Sequence, residues 1–165
     1  NYIRATNAGD WMGYQLIYIN NDDIPELYLN GAAEAQGDLV CTFANGTVVS
    51  EQLSRVNGMA YLEKQNVFCN SNGNMGRFYD VIYSIQQGQI VQTHEGVYGM
   101  EDNANPELDE NGEVVYQYSW DGQEVSETEY KQKLNAVFNQ QKAIHPSLDL
   151  YLYSKEEILA ELESM

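Results

Sequence analysis

Val81-Ile82-Tyr83-Ser84-Ile85, then Gln86-Gln87-Gly88-Gln89, then Ile90-Val91-Gln92-Thr93 is the stretch that decides the fold. Two runs of β-branched and aromatic residues flank a short polar break containing glycine, which is the pattern of an antiparallel hairpin. The same scheme recurs outward in both directions. Leu39, Cys41 and Phe43 alternate before Asn45-Gly46, and Val48-Val49 follow it. Glu113 to Trp120 forms another strand-like run before Asp121-Gly122. Asn57-Gly58, Asn72-Gly73 and Asn111-Gly112 supply further breaks of a type that tolerates positive backbone angles. The expected fold class is mainly β (α+β). It is an antiparallel β-meander of about seven or eight strands, curled or sandwiched, with C-terminal helices packed on it.

The chain of 165 residues fits a single domain, 1–165. The meander is expected over about 12–125, a helix over about 126–142, and a last strand and helix over about 147–164. Ser126 with Glu129, and Ser154 with Glu157, are capping boxes. The pairs Val125/Tyr130 and Tyr153/Ile158 sit where hydrophobic staples belong. Tyr130, Leu134, Val137 and Phe138 form one apolar stripe, and Ile158, Leu159 and Leu162 a second. Leu148, Leu150 and Leu152 alternate after Pro146, which predicts the last strand. Gly99 to Gly112, rich in Asp, Glu and Asn, reads as a long solvated excursion.

Twenty-five acidic residues face eight basic ones, for a net charge of −17. A field of that sign repels nucleic acid and anionic membrane surfaces. No apolar run is long enough for a transmembrane segment. The chain starts at Asn1 and reads as a processed or trimmed product. Cys41 and Cys69 could pair in an exported chain or serve as two small buried hydrophobes. Thirteen tyrosines against four phenylalanines suit half-wet sheet faces.

The loop Ile17-Tyr18-Ile19-Asn20-Asn21-Asp22-Asp23-Ile24-Pro25-Glu26-Leu27 spaces oxygen donors as calcium loops do, with Asn20, Asp22 and Glu26 as candidate ligands. Together with Tyr14 and Leu16 it resembles the element Y-x-L-x-D-x-D-x-D-G-x-P-E-L. That element occurs in uncharacterised exported or lipoprotein-type domains of Gram-positive gut anaerobes, clostridia especially. The loop is also similar to those of integrin-type repeats and dockerins. A tail of the form Y-x-W-x-G-x-x-V-S-x-x-E-Y, matched by Tyr118 to Tyr130, strengthens the resemblance. It implies a Tyr-rich β-meander and an extracellular or cell-surface-anchored location. Here Tyr18 and Asn20 replace two acids and Asp23 replaces the pivot glycine, so calcium is possible but no metal site is expected to be occupied. The competing reading is a turn at Asp22-Asp23, with Glu26 bonded to the loop backbone.

His94 and His145 are too distant in sequence to predict a zinc set, and neither a nucleophile elbow nor a phosphate loop is present. No catalytic residue and no cofactor is therefore expected. The function expected is a non-catalytic, extracytoplasmic binding or interaction domain for an unknown peptide, glycan or protein. The alternatives are a secreted hydrolase of cell-wall or dietary polymer and a structural spacer. A concave pocket with ionisable groups of shifted pKa would favour the hydrolase. Exposed aromatics on a sheet would favour the binding domain.

Overall fold

The computed structural model describes Ile3, residues 11–54 and residues 58–164. Ten strands among them form two antiparallel sheets. The first sheet runs β1 (Trp11–Ile17), β2 (Glu26–Gly31), β3 (Asp38–Ala44) and β4 (Thr47–Leu53) in chain order. The second comprises β5 (Met59–Leu62), β6 (Val67–Asn74), β7 (Arg77–Gln86), β8 (Gln89–Gly99), β9 (Gln117–Trp120) and β10 (Gln123–Val125), again as a meander. The mainly β fold with C-terminal helices is thus the one the hairpin spacing predicts. The strand count exceeds seven or eight because β5 and β10, at four and three residues, are too short to show a period.

The hairpin expected over 81–93 is β7–β8, with Gln87 and Gly88 at φ 53° and 76°. Asn45-Gly46 and Asp121-Gly122 also turn where expected. Asn72-Gly73 does not. Both residues lie inside β6, and Met75-Gly76 makes the turn instead at φ 52° and 79°. A methionine holding that angle shows the β6–β7 pairing overriding local preference. Asn57 lies outside the described residues.

Side-chain alternation splits the apolar residues into three layers. Ile17, Tyr28, Val40 and Leu53 of the first sheet meet Met59, Tyr61, Phe68 and Ile85 of the second, so the sheets form a sandwich. The outer face of the first sheet offers Tyr14, Leu29, Leu39 and Cys41 to Ile158. The outer face of the second offers Ala60, Leu62, Cys69, Ile82 and Trp120 to Tyr130, Leu134 and Phe138. The two longer helices, α1 (Glu127–Val137) and α3 (Lys155–Ser164), therefore cover opposite outer faces. Both cysteines are buried thiols, one in each outer layer, and neither is in a disulfide.

Two boundaries are corrected. α1 ends at Val137, and only a single 3₁₀ turn, Gln140–Lys142, continues towards 142. The last strand expected from 147 is not formed. Pro146 opens a four-residue helical turn, α2 (Pro146–Asp149), whose Asp149 carboxylate accepts the His145 N–H at 2.7 Å. Leu148 is 80% exposed, while Leu150 and Leu152 pack on the inter-sheet core. The alternating leucines thus mark a connector. It exchanges backbone hydrogen bonds with Tyr61 on edge strand β5 through Ile144, and with Tyr14 on edge strand β1 through Tyr153. One segment so covers part of both edges. The acidic excursion between β8 and β9 is exposed throughout residues 101–114, with a small turn held by Asp109. No helix among the described residues is long and apolar enough to cross a membrane.

Candidate functional site

The loop with Asn20, Asp22 and Glu26 directs its oxygens at its own backbone. Asn20 Oδ1 accepts the Asp22 N–H at 3.0 Å, and Asp22 Oδ1 accepts the Ile24 N–H at 2.9 Å. Glu26 is buried on β2, where its carboxylate accepts the Ile19 N–H at 2.9 Å and the Thr42 hydroxyl at 3.3 Å. Burial raises its pKa above the ordinary carboxylate range, against the lowering effect of the Ile19 hydrogen bond. Among the described residues no cluster of three or more His, Cys, Asp or Glu is arranged to hold a metal ion. His94 Nδ1 lies 2.9 Å from Asp121 on the β9–β10 turn, and Asp121 also accepts the Glu95 N–H. Desolvation works to raise the Asp121 pKa, but these two partners outweigh it and leave it lowered.

The richest constellation lies on the outer face of the second sheet. Phe78, Tyr98 and Tyr118 stand directly opposite one another on β7, β8 and β9. Their rings stack in sequence, with centroids 4.9 and 5.5 Å apart, and Tyr116 meets Phe78 and Tyr98 edge-on. The three stacked rings are half-buried and Tyr116 is exposed. Two residues further along β7, Asp80 is 7% exposed. Its carboxylate accepts the Ser71 hydroxyl at 2.5 Å and the Tyr130 hydroxyl at 2.6 Å. Gly96 permits the second contact, because a Cβ there would come within 2.5 Å of the Tyr130 oxygen. The Tyr130 phenol is held far above its usual pKa by burial and by Asp80, so it stays a donor.

A cavity of about 300 Å³ opens beside Asp80 between this sheet and the chain leaving α1. Cys69, Ser71, Asp80 and Tyr98 line it from the sheet, and Phe138, Gln140, Ala143 and His145 from the other side. Burial, with Asp80 adding to it, pushes the Cys69 thiol up to about 12. Burial likewise raises Tyr98. Both shifts hold the groups protonated, the opposite of an activated nucleophile. The Ser71 proton is committed to Asp80, and no described hydrogen bond joins His145 to Ser71.

Sequence reasoning placed Tyr130 in a core stripe but missed Asp80, Ser71 and Tyr98. One signal was available: Asp80 is the single charge inside the run Phe78-Tyr79-Asp80-Val81-Ile82-Tyr83. A lone acid in a strand with apolar neighbours on both sides marks a buried, partnered carboxylate. No protein-family model matches the chain, and neither a curated protein nor a solved structure does.

Proposed function

We propose that this chain is a non-catalytic binding domain of an extracytoplasmic protein, and that it takes its ligand on the outer face of the second sheet. The observation that carries the reading is the half-exposed row Phe78–Tyr98–Tyr118 laid beside the Asp80 cavity. Aromatic rings with a polar rim supply contact area at small entropic cost, and the polar side chains lining the cavity, Ser71, Asn72, Asp80 and Gln140 among them, supply orientation. The location rests on the resemblance to exported domains, and the net charge of −17 is compatible with it. A hydrolase is the second reading, because Ser71, Asp80 and His145 line one cavity. The protonated thiol and the Ser71–Asp80 hydrogen bond weigh against it.

The test is a binding screen of the purified domain against peptidoglycan, dietary glycans and peptides, with Tyr98→Ala and Tyr118→Ala in parallel. Capture of one ligand class, weakened in both variants while the melting temperature holds, is the expected result. Turnover of an ester, glycoside or peptide substrate, abolished by Ser71→Ala, would replace the binding reading with the hydrolase one.

A further inference from the structure

The two sheets do not end together, because four strands lie over six. One connector reaches both edge strands β1 and β5, so those edges share a side of the sandwich and β4 borders the side where the second sheet is wider. Tyr83 packs on the inter-sheet core, and Tyr79 and Val81, at alternate positions before it on β7, share its face. Val97 and Glu95 stand opposite them on β8. Tyr79, Val81 and Val97 are half-buried and belong to none of the three core layers. A groove of about 610 Å³ also opens between the chain at Gln52, Leu53 and Ser54 and the end of β6 at Gly73 and Asn74.

The β4 edge itself is bare. The two-residue turn closes on Ala44 and Thr47, so Val49, Glu51 and Leu53 bond β3, while Val48, Ser50 and Gln52 turn their backbone groups outward. Among the described residues nothing hydrogen-bonds those outward groups. The connector covers part of β1 and β5, and β10 has only three residues. β4 has seven in unbroken register, with neither proline nor lysine, and a long unblunted edge is a template for a further strand. Glu51 stands opposite the core residue Val40 and so points to the inner face. Burial lifts the Tyr83 phenol to about 12, and the charges of Glu51 and Glu95 beside it add to the rise. Neither carboxylate is in an ion pair among the described residues.

We propose that the β4 edge takes up an extended segment of a partner protein as an additional strand, with a lysine or arginine facing Glu51 and Glu95 and apolar neighbours on Val81 and Val97. The outward N–H and C=O groups of Val48, Ser50 and Gln52 supply the ladder, and alternate side chains supply selectivity. A second copy of the chain fits poorly. Pairing β4 with itself brings together two chains of net charge −17 and sets Glu51 of both on one face. The inward charge thus bars self-pairing and admits a basic strand. This surface lies on the opposite face of the second sheet from the aromatic row, so the two readings stand or fall separately.

The probe is the capped heptapeptide Thr-Val-Thr-Lys-Thr-Val-Thr, whose lysine and valines share one side when extended. It is titrated into the ¹⁵N-labelled chain, in parallel with the same peptide carrying glutamate for lysine. Saturable amide shifts and slowed hydrogen exchange at Val48, Ser50 and Gln52 are expected, with the glutamate peptide weaker by at least about tenfold. Glu51→Lys should reverse that preference. Ser50→Pro removes an outward donor and leaves the β3 ladder intact, so it should abolish the protection at Val48 and Gln52. Equal binding of the two peptides, shifts confined to Tyr98 and Tyr118, or a Ser50→Pro variant that folds and binds as before would overturn the proposal. A silent titration would do the same, as would a dimer of the unaltered chain that Ser50→Pro disperses. If neither variant folds, the comparison of the two peptides on the unaltered chain still decides.

Discussion

α1 and α3 lie on opposite outer faces of the sandwich, and both begin on the same local device. Ser126 Oγ accepts the Glu129 N–H at 3.2 Å while Glu129 accepts the Ser126 N–H at 3.0 Å. Ser154 and Glu157 reproduce the pair at 3.2 and 2.7 Å. Beneath the two helices the chemistry diverges. α3 sets Ile158 and Leu159 on Tyr14, Leu29, Leu39 and Cys41. α1 sets Tyr130 edge-on against Tyr98, Tyr118 and Trp120, with its hydroxyl on a buried carboxylate. Identical start signals thus carry one helix to a mainly aliphatic face and the other to a polar, aromatic one. Capping settles where a helix begins, and the sheet residues beneath settle what its buried face meets.

The sharpest way to break this contrast is to empty each side. Tyr130→Ala should cost about 3–5 kcal/mol, since it removes three ring contacts and one of the Asp80 donors. Ile158→Ala should cost about 2–4 kcal/mol, the transfer and cavity loss of an aliphatic side chain. Urea melts that put Ile158→Ala at or above Tyr130→Ala would show the aromatic side to be no more demanding than the aliphatic one.

A second contrast sets Glu26, between the sheets, against Asp80, under α1. Glu26→Ala should cost about 2–3 kcal/mol by leaving the Ile19 N–H without its acceptor and opening a void. Glu26→Gln sharpens the point through pH. The folded-state pKa of Glu26 is raised above 4.5, so the native state holds its proton where the unfolded chain releases it. Its contribution is fully present below pH 4.5 and is lost as pH rises through the folded value. Wild-type stability relative to Glu26→Gln should accordingly fall from about pH 4.5 upward and then level off. A difference that grows with pH in favour of the wild type would mean the carboxylate is stabilised as a charge.

Smaller effects probe the caps themselves. Ser126→Ala should cost about 1 kcal/mol, and Ser154→Ala less, because a terminal helix can fray without opening the core. Equal losses would show α3 to be as firmly anchored as α1, a result that the zero exposure of Ile158 makes worth measuring. The smallest effect expected is that of calcium on the Asn20–Glu26 loop. A site of 10 mM affinity in 1 mM calcium would add only about 0.06 kcal/mol. Melting temperatures in millimolar calcium and in chelator should therefore coincide at matched ionic strength. A rise of several degrees, lost in Asp22→Ala, would make the loop a working site.

How far each region could be read follows the range of the interactions that build it. Hairpin turns, capping boxes and staples involve residues two to five positions apart, so β7–β8, β9–β10 and the starts of α1 and α3 were legible in advance. The exception is instructive. Asn72-Gly73 carries a turn signal, yet pairing with Tyr79 and Phe78 keeps it extended and moves the turn to Met75-Gly76. The leucines at 148, 150 and 152 failed for a related reason. Their alternation was real, but Pro146 and Asp149 wound the first of them into a helical turn.

The candidate site belongs to the other class. Ser71, Asp80, Tyr98, Tyr130 and His145 come from five segments of the chain, and nothing local relates them. By itself the sequence determined an antiparallel β-meander, two capped helices and an acidic surface, because these depend on period, turn chemistry and charge. Only the tertiary structure decided that the meander divides into two stacked sheets and that the helices take opposite faces. It also brought the Tyr130 hydroxyl to Asp80, across 50 residues of chain, where Gly96 leaves room for the ring. Burial produced that pairing: a carboxylate removed from water requires donors, and which donors reach it is a matter of packing.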